Sequence, residues 1–415
     1  MQYYVKMKNL GIKISMYLNY FVFAILLNSV GIVILKSQNN YGVNEVAAST
    51  LELFKDLPIA IVSFLIASFL PRIGYKKSML IGLLLVTIGS IQMYFMDSFI
   101  GAKLLFALVG ISFALIKISV YSLIGLVVDS KKEHNSLMSS IEGVFMIGIA
   151  LAYFLFPAFN NEDDPNSWLN VYWLLAALSF ISFIILLNIK FDEGDEIPGT
   201  DLVDDARQML LLIVKLVVLI FIISTFFYVM VEQGIMSWLP TFNSRVLKLP
   251  ENIGIMMASI LAISLAIGRL TAGFVTKYIS WFYVLIACTI IAMLILTLIL
   301  PSAIGIEVVE INSITDIPLI GFVFPLIGLF IAPIYPLLNS AILSVLPTNL
   351  HSPMTGLIVI FSALGGTLGS RIIGWLFKNA GAENAFYYIL IPMGLLIVAF
   401  IMLYKLTKQE NHVAH

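Results

Sequence analysis

The sequence predicts an all-α integral membrane protein with twelve transmembrane helices in two pseudo-symmetric six-helix bundles. Of its 415 residues, 60% are hydrophobic and only 11% are charged, and the mean hydropathy is +1.02. Soluble domains are about half apolar and about a quarter charged. Many of the apolar stretches also reach the ~20 residues that a helix needs to cross a bilayer. The chain is therefore predicted to cross the membrane many times.

Twelve apolar stretches follow one another along the chain. The first six are predicted near 12–35, 49–71, 78–96, 102–128, 136–158 and 168–189, and the second six near 209–239, 254–276, 282–303, 317–346, 354–377 and 386–405. The acidic segment KFDEGDEIPGTDLVDDARQ lies between the two sets. The predicted domains are an N-terminal bundle at 1–189, a cytoplasmic linker at 190–208, a C-terminal bundle at 209–405 and a cytoplasmic tail at 406–415.

Lys and Arg in the predicted loops indicate the orientation. If both termini are cytoplasmic, thirteen of these side chains lie in inner segments and five in outer segments. An excess of positive charge on the cytoplasmic side is the general rule for membrane proteins. We therefore expect a multi-pass protein of a bacterial inner membrane with both termini in the cytoplasm.

Several other classes of function are disfavoured. The net charge of −1 gives no sign of nucleic-acid binding, and the single Cys288 allows neither a disulfide framework nor a cysteine metal site. The glycines of 362–374 lack the lysine of a phosphate-binding loop, so close helix packing or a hinge is the better interpretation. We expect no metal, no cofactor and no enzymatic activity. The four histidines lie in loops or the tail without ligand-like spacing: His134, His351, His412 and His415.

The two halves share weak internal similarity. NSVGIVILKSQ from Asn28 aligns with EQGIMSWLPTF from Glu232, 204 positions later, and SFLPRIGYKKSMLIG from Ser68 aligns with GFVTKYISWFYVLIA from Gly273 at nearly the same offset. GISFALIK (110–117) aligns with GLFIAPIY (328–335) in the same order along the chain. Parallel six-helix halves related by an axis along the membrane normal are a known transporter architecture.

Three segments resemble the major facilitator superfamily of transporters. The inner loop PRIGYKKSMLIG stands at the position of the family's signature loop, with Pro71 in place of its usual aspartate. IGRLTAGF (267–274) resembles the Gly-Arg segment of helix 8, and FIAPIYPLLNSAIL (330–343) resembles helix 10 of the fucose–galactose–glucose:proton symporter branch. The resemblance implies secondary active transport of a small-molecule solute through the lipid bilayer. It also implies a proton gradient as the energy source and a chain that works as a monomer.

The second predicted span begins LELFKDLPIAIVSFLIASFL, with three charges near its start. A span of sufficient length must include Lys55 and Asp56, and Glu52 lies close to the interface. At i, i+3 and i+4 the three share one helix face. They form either an interfacial cluster with Lys55 snorkelling or a face lining a water-filled cavity, and in the second case Asp56 is the preferred functional residue.

Other charges lie within the spans. Lys117 is predicted near the middle of helix 4, and Glu142 of helix 5 is a candidate partner. A structural ion pair and a functional one are equally good interpretations of these two residues. Lys215 and Arg269 lie near predicted cytoplasmic helix ends, where snorkelling or a contact with the inner loops is expected. Arg371 of helix 11 has either a cavity role or a place in a gate-side ion pair.

Glu232 and Gln233 lie in the outer half of an unusually long helix 7. The segment GIMSW that follows is a candidate helix break, as transporter helices often break at binding sites. We therefore expect a functional role for this pair.

The sugar symporters carry acidic residues on helices 1 and 4. The chain has Lys117 at the second position, and at the first it has Gly31, with Asn28 as the nearest polar residue. Sugar specificity and coupling therefore do not carry over intact. Coupling, if present, is expected at Asp56 or Glu232, and Lys117 would favour an anionic solute unless Glu142 neutralises it.

The proposed site residues form two sets. The residues proposed to bind the solute are Asn28, Lys117, Gln233, Trp238, Tyr335 and Asn339. The residues proposed as coupling or cavity charges are Glu52, Lys55, Asp56, Glu142, Glu232 and Arg371.

The predicted function is alternating-access transport of a small polar solute, a monosaccharide or sugar-like acid, together with protons. Two alternatives stay open at this point. One is an organic-anion or drug-type carrier or exporter of the same superfamily, and the other is a transporter-like sensor that moves no solute.

Overall fold

The computed structural model describes residues 2–128, 131–161, 163–189, 202–306, 314–347 and 350–413, and no β-strand occurs within these ranges. Eleven helical stretches there are long and apolar enough to cross a membrane. The predicted second span is also a helix, Thr50–Ile73, which carries the three early charges. The prediction of an all-α membrane fold is confirmed.

Eight α-helices occur in the described part of the first half of the chain. The first helix of the sequence prediction is divided in two, and a short helix precedes the second span. Their bounds are α1 Gln2–Asn28, α2 Val30–Tyr41, α3 Glu45–Ala48, α4 Thr50–Ile73, α5 Tyr75–Met96, α6 Phe99–Val127, α7 Lys131–Ala158 and α8 Val171–Asn188.

Ten α-helices follow in the described part of the second half. Two predicted spans are each assembled from shorter consecutive helices. The bounds are α9 Leu202–Ile213, α10 Leu216–Arg245, α11 Glu251–Met257, α12 Ser259–Val275, α13 Trp281–Ile299, α14 Leu319–Val323, α15 Ile327–Ile331, α16 Ile334–Val345, α17 His351–Asn379 and α18 Leu390–Val413.

The predicted linker and the predicted tail do not coincide with the helix bounds of the structure. Most of the predicted linker, 190–201, lies outside the described residues, and its last residues begin α9. The predicted tail from 406 continues α18 as far as Val413.

Local chemistry explains several helix ends. Gly74 separates α4 from α5 with a φ of 91°, which favours glycine, and Asp97 ends α5 in the left-handed region with a φ of 35°. The Ser98 hydroxyl then accepts the backbone N–H of Gly101 at 3.1 Å and begins α6. Short polar residues therefore satisfy helix-terminal groups at this turn.

The chain forms two compact units. One contains Met1–Val33 and Leu51–Leu202, and the other contains Ile34–Thr50 and Val203–His415. The predicted domain limits at 189 and 209 stay predictions. Residues 34–50 pack within the second unit, although they lie between the first two predicted spans.

Polar contacts hold residues 34–50 within the second unit. Lys36 and Asn39 both contact the Glu251 carboxylate, and the Lys36 side chain is almost fully buried. Arg245 forms an ion pair with Glu45. Charges from α10 and α11 therefore fix this segment at two points.

Glycines allow a close contact between α17 and α10. A Cβ at Gly365 would overlap the carbonyl oxygen of Phe226, and one at Gly369 would overlap that of Met230. Small residues four positions apart let two membrane helices approach closely. The predicted packing role of these glycines is confirmed where α17 meets α10.

Candidate functional site

Ionisable side chains form separate clusters inside the spans. In the first unit, Lys55 Nζ lies 2.6 Å from Glu52 Oε2 and 3.4 Å from Asp56 Oδ1. All three residues are buried, with exposed fractions of 5%, 1% and 8% respectively. The Glu52–Lys55 pair that the interfacial interpretation contained is therefore present. Lys55 is buried within the fold, however, and does not snorkel to the surface.

Lys117 lies on a stripe of α6 together with two aromatic residues. Its Nζ is 5.6 Å from the ring centroid of Phe113 and 5.9 Å from that of Tyr121, one turn to either side. The electron-rich face of an aromatic ring attracts a cation at such distances. Lys117 is half-buried within the apolar stretch Phe99–Ile124.

The expected ion pair between Lys117 and Glu142 is not formed. No ion pair of Lys117 with a carboxylate within 4.0 Å occurs among the residues that the structure describes. The Tyr121 hydroxyl donates a hydrogen bond to Glu142 Oε1 at 2.6 Å. Tyr121 thus binds the carboxylate that was expected to neutralise Lys117.

The first predicted span is interrupted at Asn28 and Ser29. Asn28 Nδ2 donates to the carbonyl oxygen of Ala24 at 2.8 Å, and the Ser29 hydroxyl donates to that of Leu26 at 2.8 Å. Such local bonds compete with the regular helical pattern. Transporter binding sites often lie at interrupted helices, and this supports the proposal that Asn28 binds the solute.

Helix α10 shows no corresponding break. It runs from Leu216 to Arg245, so the interruption expected in GIMSW is wrong. A Cβ at Gly234 would lie 3.2 Å from Ile373 Cγ1 and 3.6 Å from the Gly369 carbonyl oxygen. The glycine is therefore a packing point for α17 in a continuous helix.

Glu232 forms an ion pair with Arg269 in the second unit. Arg269 Nη2 donates to Glu232 Oε1 at 2.7 Å, and the Glu232 residue is 7% exposed. Arg269 thus pairs with a carboxylate on another span, an outcome that neither expected alternative, snorkelling or a contact with the inner loops, included. A buried carboxylate in a span is costly unless it is paired, and Arg269 supplies that charge.

Tyrosines adjoin this ion pair. Tyr228 stands one turn before Glu232 on α10 and is fully buried. The Tyr228 ring stacks on Tyr335 of α16, with 5.7 Å between centroids. Asn339 follows Tyr335 by one turn, and its buried Oδ1 accepts no hydrogen bond among the described residues. The half-buried Gln233 is the neighbour of Glu232 in sequence.

Trp238 is a packing residue in this structure. It is fully buried, and its indole N–H donates to the Ser370 carbonyl oxygen at 2.9 Å. Its ring lies 4.9 Å from that of Phe377, and Gly374 makes room for it. The Trp238 ring therefore has no face accessible to a sugar, and the stacking expected from the sequence does not occur in this structure.

Arg371 caps a short helix of the second unit. Its Nη1 donates to the carbonyl oxygen of Val46 in α3. It forms no ion pair with a carboxylate in the ranges that the structure describes. The predicted ion pair of Arg371 is therefore not formed within these ranges, and its partner is a backbone carbonyl group. The cavity role stays a prediction.

Several of these residues were missed from the sequence. Phe113 and Tyr121 stand four positions before and after Lys117, and Tyr228 stands four before Glu232, so helical spacing was an available signal. Arg269 lies 37 residues beyond Glu232, and no local pattern links them.

Comparisons with known proteins agree with this architecture. A bacterial homologue of the human lysosomal transporter Spinster, in an inward-facing unoccupied conformation, matches with a TM-score of 0.75 at 13% identity, covering 98% of both chains. The nucleoside transporter NupG matches with a TM-score of 0.72 at 15% identity, covering 96% of this chain and all of the other. The Escherichia coli fucose:proton symporter FucP matches with a TM-score of 0.61 at 13% identity, covering 95% of this chain and 99% of the other. At these identities the likeness shows the fold alone.

No curated protein matches the sequence significantly. The model of the Major Facilitator Superfamily matches residues 14–370, which is most of the chain. The helical spans, the charged clusters within them and this match lead to one conclusion. The chain is a multi-pass membrane protein that belongs to the Major Facilitator Superfamily of transporters.

Proposed function

We propose that the protein is a secondary active transporter that moves a small polar solute together with protons by alternating access. The proposed solute is a monosaccharide or a sugar-like acid. The proposed setting is a bacterial inner membrane, with both termini cytoplasmic, and the monomer works without a cofactor. Family membership supports transport, and the resemblance of helix 10 to sugar symporters supports the solute class.

The observation that carries the coupling proposal is the Glu232–Arg269 ion pair inside two spans. A carboxylate carries a proton by becoming neutral, and burial without a partner favours that neutral form. A partner cation stabilises the ionised form while the two remain in contact. Separation of Glu232 from Arg269 during transport would therefore promote proton uptake, and renewed contact would promote its release.

The Glu52–Lys55–Asp56 cluster is the second candidate for coupling. Lys55 contacts both carboxylates, so a small movement of its side chain changes which of them it stabilises. Asp56 is the more weakly bound by distance, at 3.4 Å against 2.6 Å for Glu52. Its longer contact makes Asp56 the preferred coupling residue of this cluster.

Side chains suited to a hydroxylated solute lie on α10 and α16. Tyr335 offers a hydroxyl, and Asn339 offers a buried amide oxygen without a bond among the described residues. Gln233 adds a second amide on α10. Such groups bind polyols through directional hydrogen bonds, which support the choice of a sugar or sugar acid.

Uptake into proteoliposomes tests the proposal. The panel contains fucose, galactose, glucose, glucuronate and a small dicarboxylate, each with and without an inward proton gradient. Asp56→Asn and Glu232→Gln run beside the parent protein, and the two variants separate the candidate coupling sites. We expect the parent to accumulate at least one solute when the proton gradient is present. One of the two variants should lose this accumulation but still exchange the solute across the membrane without a gradient.

Two results would contradict the proposal. Accumulation that ignores the gradient would reject proton coupling. Absence of any solute movement, together with no solute-dependent change in thermal stability, would favour the sensor without transport.

A further inference from the structure

We infer that the transported solute is a carboxylate that binds Lys117, with a flat or weakly polar part of the solute lying against Phe113 and Tyr121. This inference rests on the proposed transport function and narrows its substrate class from sugars or sugar acids to organic acids. It gives Lys117 a direct part in recognition.

Lys117 has aromatic neighbours and, in the described part of the chain, no carboxylate bound to it. An ammonium group within a span is expensive unless a counter-charge or water compensates it. The two aromatic rings attract the ammonium but carry no formal counter-charge. Since no protein carboxylate in the described ranges forms an ion pair with it, an anion from outside the protein fits this position.

Glu142 is bound by a tyrosine and not by Lys117. Its carboxylate accepts from Tyr121, the residue one turn from Lys117 on α6. The candidate partner on α7 therefore forms no ion pair with Lys117 within 4.0 Å. Tyr121 thus contacts the Lys117 ammonium with its ring and Glu142 with its hydroxyl.

Further aromatic rings surround Phe113 and Tyr121. Phe113 lies 5.9 Å from Phe23 and 6.2 Å from Phe145, measured between ring centroids. Tyr20 connects the other side, at 6.3 Å from Tyr121 and 5.8 Å from Phe145. These rings offer few polar atoms, so they would solvate a small inorganic anion poorly.

The shape and chemistry of this cluster therefore favour an organic acid with one flat face. Aromatic side chains bind such faces by stacking, and a lysine supplies the charge-assisted hydrogen bond to the carboxylate. A ring-shaped sugar acid and an aromatic acid both satisfy these requirements. A neutral sugar would leave the Lys117 charge without a counter-ion.

Matched solute pairs test this assignment directly. Thermal unfolding of the purified protein is measured with glucuronate against glucose and with benzoate against benzyl alcohol, since each pair differs at the carboxylate. The same acids and alcohols are then compared in uptake assays. The variants are Lys117→Met, Lys117→Arg and Lys103→Met. Lys103 is the control because it lies on the same helix, also over two rings, Phe54 and Phe99.

We expect at least one acid to stabilise the parent more than its neutral partner does. This preference should persist in Lys117→Arg and Lys103→Met. In Lys117→Met the apparent affinity for the acid should fall at least about tenfold, because a charge-assisted hydrogen bond is lost.

Three results would overturn the inference while leaving transport intact. They are uptake of only neutral solutes, equal effects of acid and neutral partner, and an unchanged preference in Lys117→Met. Equal losses in Lys117→Met and Lys103→Met would also overturn it, because general damage to α6 would then explain both. A parent protein that moves no solute at all rejects the proposed function and the inference with it.

Discussion

The Tyr121 hydroxyl donates to Glu142 at 2.6 Å, while the ring of the same tyrosine lies 5.9 Å from the Lys117 ammonium. One side chain therefore contacts both the cation and the carboxylate, which form no ion pair with each other within 4.0 Å. In the inference drawn from this site, Lys117 stays available to a solute anion, and Tyr121 is a positioning residue for it.

Removal of the Tyr121 hydroxyl should weaken binding of an acidic solute. In Tyr121→Phe the ring that faces Lys117 is kept, but Glu142 loses its donor and gains freedom to approach Lys117. We expect KM for the acid to rise by about threefold to tenfold, as for loss of about 1 kcal/mol. Uptake kinetics of Tyr121→Phe against the parent check this.

A second substitution separates competition from simple loss of packing. In the double variant Tyr121→Phe/Glu142→Gln the competing charge is absent, so KM should return toward that of the parent. A KM that stays raised in the double variant would contradict the positioning role of Tyr121.

Arg269→Met should destabilise the second unit by about 3 kcal/mol, because Glu232 is left buried without its partner. The effect lies at the low end for buried pairs since the Arg269 side chain is 32% exposed. The added change Glu232→Gln should restore part of the loss. Unfolding midpoints in detergent for the two single variants and the double variant measure the coupling, and strict additivity would show that the pair does not interact.

Gly110→Ala should destabilise the first unit, because a Cβ there would overlap the Lys55 carbonyl oxygen and lie 3.2 Å from Pro58 Cβ. Overpacking of this kind costs about 1–3 kcal/mol. Gly143→Ala is the matched control on α7, where a Cβ would meet no atom within 4 Å. The control should be neutral or slightly stabilising, as alanine favours a helix over glycine by up to about 1 kcal/mol. Equal unfolding midpoints for the two variants would count against the close contact of α6 with α4.

Trp238→Phe should lower stability by about 2 kcal/mol, because the indole hydrogen bond to Ser370 and some packing volume are lost. KM for the solute should stay unchanged, since the Trp238 ring is buried against Phe377. Unfolding midpoints and uptake kinetics measured on the same preparation separate the two effects. A selective rise in KM with unaltered stability would restore the stacking role expected from the sequence.

Hydropathy predicted the membrane fold because the cost of exposing polar groups to hydrocarbon makes long apolar helices stand out. It also identified the charged positions, since each stands out in an apolar span. The partners of these charges were harder to predict. Phe113 and Tyr121 follow from helical spacing around Lys117, whereas Arg269 reaches Glu232 only through tertiary packing between α10 and α12.

The helix interruption was expected in the wrong span for a physical reason. Gly234 made GIMSW resemble a break, but α17 packs against that glycine and α10 stays continuous. At the interruption between α1 and α2, the side chains of Asn28 and Ser29 bond to preceding carbonyl oxygens. Packing against a distant helix cannot be inferred from the local sequence of either segment.

The most direct test is uptake of glucuronate and glucose by proteoliposomes that contain the parent, Lys117→Arg or Lys117→Met, under an inward proton gradient. The account predicts that the parent and Lys117→Arg accumulate glucuronate in preference to glucose. For Lys117→Met we expect the apparent affinity for glucuronate to fall at least about tenfold, so that uptake at a low glucuronate concentration falls in proportion. Normal glucuronate uptake by Lys117→Met, or a preference for glucose in the parent, would contradict it.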